Sequence, residues 1–227
     1  MPYLEKFVHD VFISYARLDN EPPQAHNVKN GWVTTLELEL RHYLATSLGV
    51  HGNTEPDIFT DHQLAANQEI AAMLESELKN SALFLAILSP SYLESPWCAS
   101  EIENFRANTS TDGVSRVFLV QKTEIEQPQE LGMNGVIGYR FWKKGNERFP
   151  ETYGDPVVLP GDQDYYKTVK KLAFEMAEEL KRLKKTNAIE RTTIPELRVA
   201  DKPDDDSTEG LHDKPADCCD KDLVVYL

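Results

Sequence analysis

The chain of 227 residues predicts an α/β fold built on a doubly wound parallel sheet, and three observations carry that expectation. Short apolar runs alternate with helix-patterned segments between residues 7 and 185. The connecting segments are long enough to be crossovers, which parallel strands require. Loops rich in polar residues follow the carboxyl ends of the runs, where ligands of such folds bind.

Each element has its own local reason. Residues 7–15 contain Val11-Phe12-Ile13-Ser14-Tyr15 and read as a buried first strand, and residues 19–31, with Pro22 and Pro23, read as a loop. Trp32, Leu36, Leu40, Leu44 and Leu48 recur at helical spacing, so residues 32–48 form a helix with one face on the sheet. Residues 57–61 are a short second strand, 62–67 a loop, and 68–78 a helix with Ile70, Met73, Leu74 and Leu78 on one stripe. Residues 83–88 are uninterrupted apolar sequence and give the third strand; 114–120 and 139–142 give the fourth and fifth. Tyr166, Val169, Leu172, Ala173, Met176, Leu180 and Leu183 line one face of a long helix over 163–185.

The domain therefore spans residues 1–185. Residues 186–222 read as an acidic, flexible linker: between 196 and 222 ten acids face four bases, a net −6 that is too polar to fold alone. Residues 223–227 begin a strand pattern, either as the start of a further domain or as an edge strand of the sheet.

Composition excludes several classes of function. A formal net charge of −14 argues against direct nucleic-acid binding, which needs a basic surface to release counterions. No apolar run reaches the length of a membrane span, and the first residues lack the pattern of a secretory signal, so a cytoplasmic location without membrane contact is expected. Cys98, Cys218 and Cys219 have no spacing that suggests structural disulfides, and the six histidines no spacing that suggests a metal site.

The most informative stretch is Ser89 to Glu101. It follows the third strand and enters a helix with Ser95 as N-cap and Pro96 at the first position. Trp97 and Glu101 are four residues apart, so indole and carboxylate share a helix face at the ligand edge of the sheet. By residue type alone such a glutamate is a solvated surface group, and Trp97 and Phe59 are packing aromatics as readily as ligand contacts. Arg17 either meets a ligand phosphate or pairs with Asp19, while Cys98 reads as a small buried residue with no base beside it.

Three blocks in order, residues 10–19, residues 58–64 and Ser89 to Glu101 with its Trp-Cys-x-x-Glu, together resemble the Toll/interleukin-1 receptor (TIR) domain, most closely its bacterial NAD-cleaving branch. The resemblance covers roughly residues 7–185 and implies a flavodoxin-like, five-stranded parallel sheet. It also implies an activity, since many members cleave NAD⁺ at the nicotinamide–ribose bond while others only assemble signalling complexes. In cleaving members the glutamate of the last block is essential, and that position is Glu101. Carried across likewise, Tyr15, Ala16 and Arg17 belong to the first-strand loop of the nucleotide site, Phe59, Asp61 and Leu64 to its second-strand side, and Trp97 to its third. The loop over 62–67 matches the family's mobile loop, although Ala65-Ala66-Asn67 stands where bacterial relatives commonly carry Gly.

The resemblance thus implies an NAD⁺ nucleosidase with no cofactor beyond its NAD⁺ substrate and no metal. Products are nicotinamide and ADP-ribose, or a cyclic ADP-ribose isomer if the enzyme is also a cyclase. The setting it implies is bacterial antiphage immunity, with activation by self-association through TIR surfaces including 62–67; the linker and the interrupted strand pattern at 223–227 suggest a C-terminal regulatory domain beyond Leu227 as a candidate control element. The competing expectation is a non-catalytic TIR–TIR adaptor.

Overall fold

Five strands lie side by side in the order β2-β1-β3-β4-β5, all parallel: β1 His9–Tyr15, β2 Ile58–Thr60, β3 Ser81–Leu88, β4 Val117–Gln121 and β5 Gly138–Arg140. This computed structural model describes residues 2–22, 28–52, 55–60, 68–109, 116–125, 138–145 and 149–193. The chain divides into two units, Met1–Thr192 and Thr193–Leu227, and everything below concerns the first. The strand order is that of the flavodoxin-like doubly wound sheet, as expected.

Alternation along the strands divides the core. Val11, Ile13, Leu83, Leu85 and Ile87 face α1 (Trp32–Leu48) and α5 (Gln163–Thr193), whose Leu36, Leu40, Leu44, Val169, Leu172 and Met176 are buried against them. Phe12, Phe84, Ala86 and Leu88 face the other way, onto α2 (Gln68–Lys79) and α4 (Pro96–Thr109) through Leu74, Leu78, Ile102 and Phe105. The entry to α1 is set by a close approach: a Cβ on Gly31 would stand 1.8 Å from the Asn20 carbonyl oxygen, so only glycine fits. Asn20 in turn accepts from the Thr34 N–H at 2.9 Å, capping the first turn of α1. Gly49, at φ +70°, ends the helix in the left-handed conformation.

The structure departs from the sequence expectations at four places. Residues 139–142 are not one strand: the Phe141 N–H donates to Gln121 in the sheet while its carbonyl accepts from Tyr153. Trp142–Lys144 (β6) then pairs antiparallel with Pro150–Thr152 (β7) in a separate ribbon. In α5 the fully buried tyrosine is Tyr165, edge-on to Trp32 and Phe141, rather than Tyr166, and in α2 Met73 is 42% exposed. Finally α5 continues to Thr193, so the domain boundary expected at residue 185 falls inside a helix. Residues 223–227 lie outside the described residues.

The amino-terminal rim of the sheet is tied by one buried carboxylate. Asp10 accepts from the N–H groups of Tyr3 (2.8 Å), Leu4 (3.2 Å) and Asp57 (3.0 Å), joining the first residues and the start of β2 to β1. Burial pushes its carboxyl above the ordinary value of 3.8, against the opposing pull of these donors. Asp10→Ala strands three buried N–H groups and is expected to lower unfolding free energy by about 3 kcal/mol, measured by denaturant titration. A raised folded value means that the folded state holds this proton more tightly than the unfolded chain. The stability it contributes is therefore full below 3.8 and lost as pH rises through the raised value. The variant lacks that slope, so its stability is less dependent on pH in the acid range; parallel curves for the two proteins would contradict the assignment.

Candidate active site at the carboxyl ends of β1 and β3

The chain leaves β1 toward β2 on one side, then α2 carries it back across the opposite face to β3. The segments after β1 and β3 therefore part company, and the crevice between them is the topological switch point at which such sheets bind ligands. After β1 comes a 3-10 turn, Arg17–Asn20; after β3 come the single-turn helix α3 (Pro90–Leu93) and then α4.

Local capping aims α4 at this crevice. Ser89 Oγ accepts from the Tyr92 N–H at 3.1 Å and starts α3; Ser95 Oγ stands 3.4 Å from the Cys98 nitrogen and starts α4. Two turns of α4 then bring Glu101 to the end of β1. Ser14 Oγ donates to Glu101 Oε2 at 2.5 Å, and the Trp97 indole N–H donates to Glu101 Oε1 at 2.9 Å. Behind Ser14 lies the Tyr92 hydroxyl, 3.0 Å from Ser14 Oγ and 3.4 Å from the Cys98 carbonyl oxygen. The serine's single proton is engaged by the carboxylate, so the phenol is the donor in the Tyr92–Ser14 contact.

A second polar cluster ties together the segments after β1, β3 and β4. Asp19 is buried; its Oδ2 accepts from Ser89 Oγ at 2.5 Å, and Lys122 Nζ reaches Oδ1 at 3.1 Å and the Asp19 carbonyl at 3.0 Å. The Lys122 ammonium also stands 5.7 Å from the centroid of the Trp32 ring. A buried carboxylate with a cation and a hydroxyl on separate oxygens is held in one place. Because Ser89 also caps α3, the cluster fixes the turn that carries Tyr92 to Ser14.

The residues expected from the sequence distribute unevenly. Glu101 and Trp97 are brought together, with the indole 42% exposed. Ala16 packs in the same half of the core, whereas Tyr15 is directed to the α1–α5 half, on the other face of the sheet. Arg17 is exposed, and Asp19 pairs with Lys122 rather than with it. Phe59 stacks on Phe12 at 5.3 Å and tilts against His9 at 5.0 Å. Asp61, Leu64 and the loop over 62–67 lie outside the described residues. Ser14, Tyr92, Asp19, Ser89 and Lys122 were not expected as site residues. Period-two alternation from Phe12 could have found Ser14, since it puts the hydroxyl on the α4 side; nothing local marks Lys122.

Burial shapes the protons of the site. It pushes the Tyr92 phenol well above its ordinary value, so this hydroxyl stays a neutral donor. It also pushes the Cys98 thiol up to about 11, with the Glu101 charge adding to the effect. Cys98 is thus a packing residue and not a nucleophile. A half-buried carboxylate with two fixed donors, an accessible indole and a neutral hydroxyl chain behind it can stabilise a developing positive charge.

The family model described as TIR domain matches residues 11–153. The "Disease resistance protein RPS4" of Arabidopsis thaliana is 27% identical over 137 residues, as is a form described as inactive. The match covers 60% of this chain and 11% of those proteins, so the chain spans a small part of their length. Among solved structures, the TIR domain of the Toll-related receptor TRR-2 from Hydra magnipapillata has a TM-score of 0.36 at 15% identity, covering 58% of this chain and 84% of that one. The TIR domains of the activated Roq1 resistosome have a TM-score of 0.32 at 13% identity, covering 79% and 99%.

The state of Cys98 is open to a direct check. In the native protein near neutral pH a thiol-alkylating reagent is expected to leave Cys98 unmodified, and to label it once the chain is denatured, as read by peptide mass spectrometry. Rapid native labelling of Cys98 would show that its thiol is reachable and ionised.

Proposed function

This chain belongs to the TIR domain family, and from that premise we propose that it is an NAD⁺ nucleosidase with Glu101 as its catalytic carboxylate. The observation that carries the reading is the carboxylate held by Ser14 and Trp97 at the β1/β3 switch point. The C1′–N bond of the nicotinamide riboside breaks with its electron pair leaving on the nicotinamide, which departs as a neutral pyridine. No acid is needed for that departure. The ribose is left oxocarbenium-like, and a carboxylate beside it stabilises the positive charge, as carboxylates do in glycosidases. Water then adds at C1′ and loses a proton, giving ADP-ribose; attack by a nucleophile within the same molecule gives a cyclic isomer instead. Trp97, exposed beside Glu101, offers a flat face for a base.

The setting we propose is cytoplasmic immune signalling, in the bacterial antiphage form. The immune part is supported by the plant relatives, which are disease resistance proteins. A control step is expected, since a constitutive NAD⁺-cleaving enzyme would exhaust its host, and self-association is the form of control we propose. Among the described residues no helix is long and apolar enough to cross a membrane.

Purified chain, alone and artificially clustered, is expected to release nicotinamide from NAD⁺. Glu101→Ala is expected to lower that rate at least 100-fold, the scale of losing about 3 kcal/mol of transition-state stabilisation. Chromatography of nicotinamide and mass spectrometry of the second product are the measurements. Absence of release from clustered wild type, with Glu101→Ala still supporting signalling, would favour the adaptor reading instead.

A further inference from the structure

We propose that Ser14 is a positioning residue for Glu101, and that its hydroxyl, fed by the Tyr92 phenol, keeps this carboxylate ionised and aimed into the crevice. The proposal rests on the reading of Glu101 as the catalytic carboxylate. Ser14 ends the apolar run of β1: Val11, Phe12 and Ile13 before it are buried, and Ser14 itself is 2% exposed. A hydroxyl there is costly unless it is hydrogen-bonded on both sides, and it is, with Tyr92 behind and Glu101 in front.

The direction of the chain is fixed by proton counting. Ser14 turns its one proton toward Glu101 Oε2, so in the 3.0 Å contact with Tyr92 the phenol is the donor; the Cys98 carbonyl oxygen, at 3.4 Å, is a second and longer acceptor for the same phenol proton. A donor so placed favours the ionised over the protonated carboxyl. Donation by Trp97 to the other oxygen comes from the same helix one turn earlier and moves with Glu101, whereas Ser14 ties the carboxylate to the sheet. Among the described residues, Tyr92 on α3 and Cys98 on α4 are titratable groups that interact with Glu101, and the Asp19–Lys122 pair stands behind them.

The test titrates Glu101 in the full chain through its side-chain carboxyl-carbon NMR signal, assigned with Glu101→Gln, in wild type, Ser14→Ala and Tyr92→Phe. Ser14→Ala is expected to move the midpoint up by roughly one pH unit, the equivalent of one charge-assisted hydrogen bond. Tyr92→Phe, which keeps the ring and the serine, is expected to move it in the same direction by less, and provides the readout if Ser14→Ala does not fold. Where wild type releases nicotinamide, Ser14→Ala is further expected to lower kcat about 10-fold with KM little changed, because the lost contact acts on developing charge rather than on binding. Midpoints unmoved in the folded variants would overturn the proposal even if wild type cleaves NAD⁺. A shifted midpoint in a chain that releases no nicotinamide would uphold the Ser14–Glu101 coupling and overturn only the enzymatic reading.

Discussion

Side-chain alternation along β1 is the constraint on which both halves of the core and the site depend. Val11 and Ile13 close the α1–α5 side, Phe12 the α2–α4 side, and the same alternation delivers Ser14 to Glu101. A slip of one residue would send Ser14 into the α1–α5 core and set Tyr15 against the carboxylate. The register is pinned on both sides, by Val11, Phe12 and Ile13 to β2 and by six residues of β1, Ser14 among them, to β3. The strand that carries the site is thus an inner strand, held from both sides.

Buried polar groups gather at the two rims of the sheet and leave its middle apolar. At the amino-terminal rim Asp10 is surrounded by backbone donors and His9 contacts Asp57 and Glu77, all of which serves to tie strands and chain ends together. At the opposite rim the acceptors are side chains of the segments after β1, β3 and β4, and one of them, Glu101, is partly open to solvent. The same chemistry of carboxylate and donor therefore has two outcomes, decided by access. Enclosed, it fastens; opened on one side, it can meet a substrate.

What could be read from the sequence was what has a short period. Helix α1 was legible to the residue because its leucines repeat every four positions, and β3 because it is apolar without a break. The β6–β7 ribbon was not, since three-residue strands such as Trp142–Lys144 carry no pattern and pair only because Phe141 turns the chain. Tyr165 and Tyr166 differ by one step of a helix whose length hides the phase. At the site, Trp97 and Glu101 were visible as an i,i+4 pair on a capped helix. Their supports were not: Ser14 lies 87 positions from Glu101, and Lys122 lies 103 from Asp19, so only the folded sheet brings them together.

The unequal burial of Ser14 and Glu101 bears on how such a domain drifts over generations. Glu101 sits at the outer end of the hydroxyl chain, and its replacement leaves the apolar halves of the core untouched. A lineage can therefore silence the carboxylate in one step and inherit an intact scaffold. Ser14 and Tyr92 are sealed inside, so changing either bears on packing as well as on hydrogen bonding. On the reading of Glu101 as catalytic, the chemistry sits at the accessible end of the hydroxyl chain and the architecture at its sealed end.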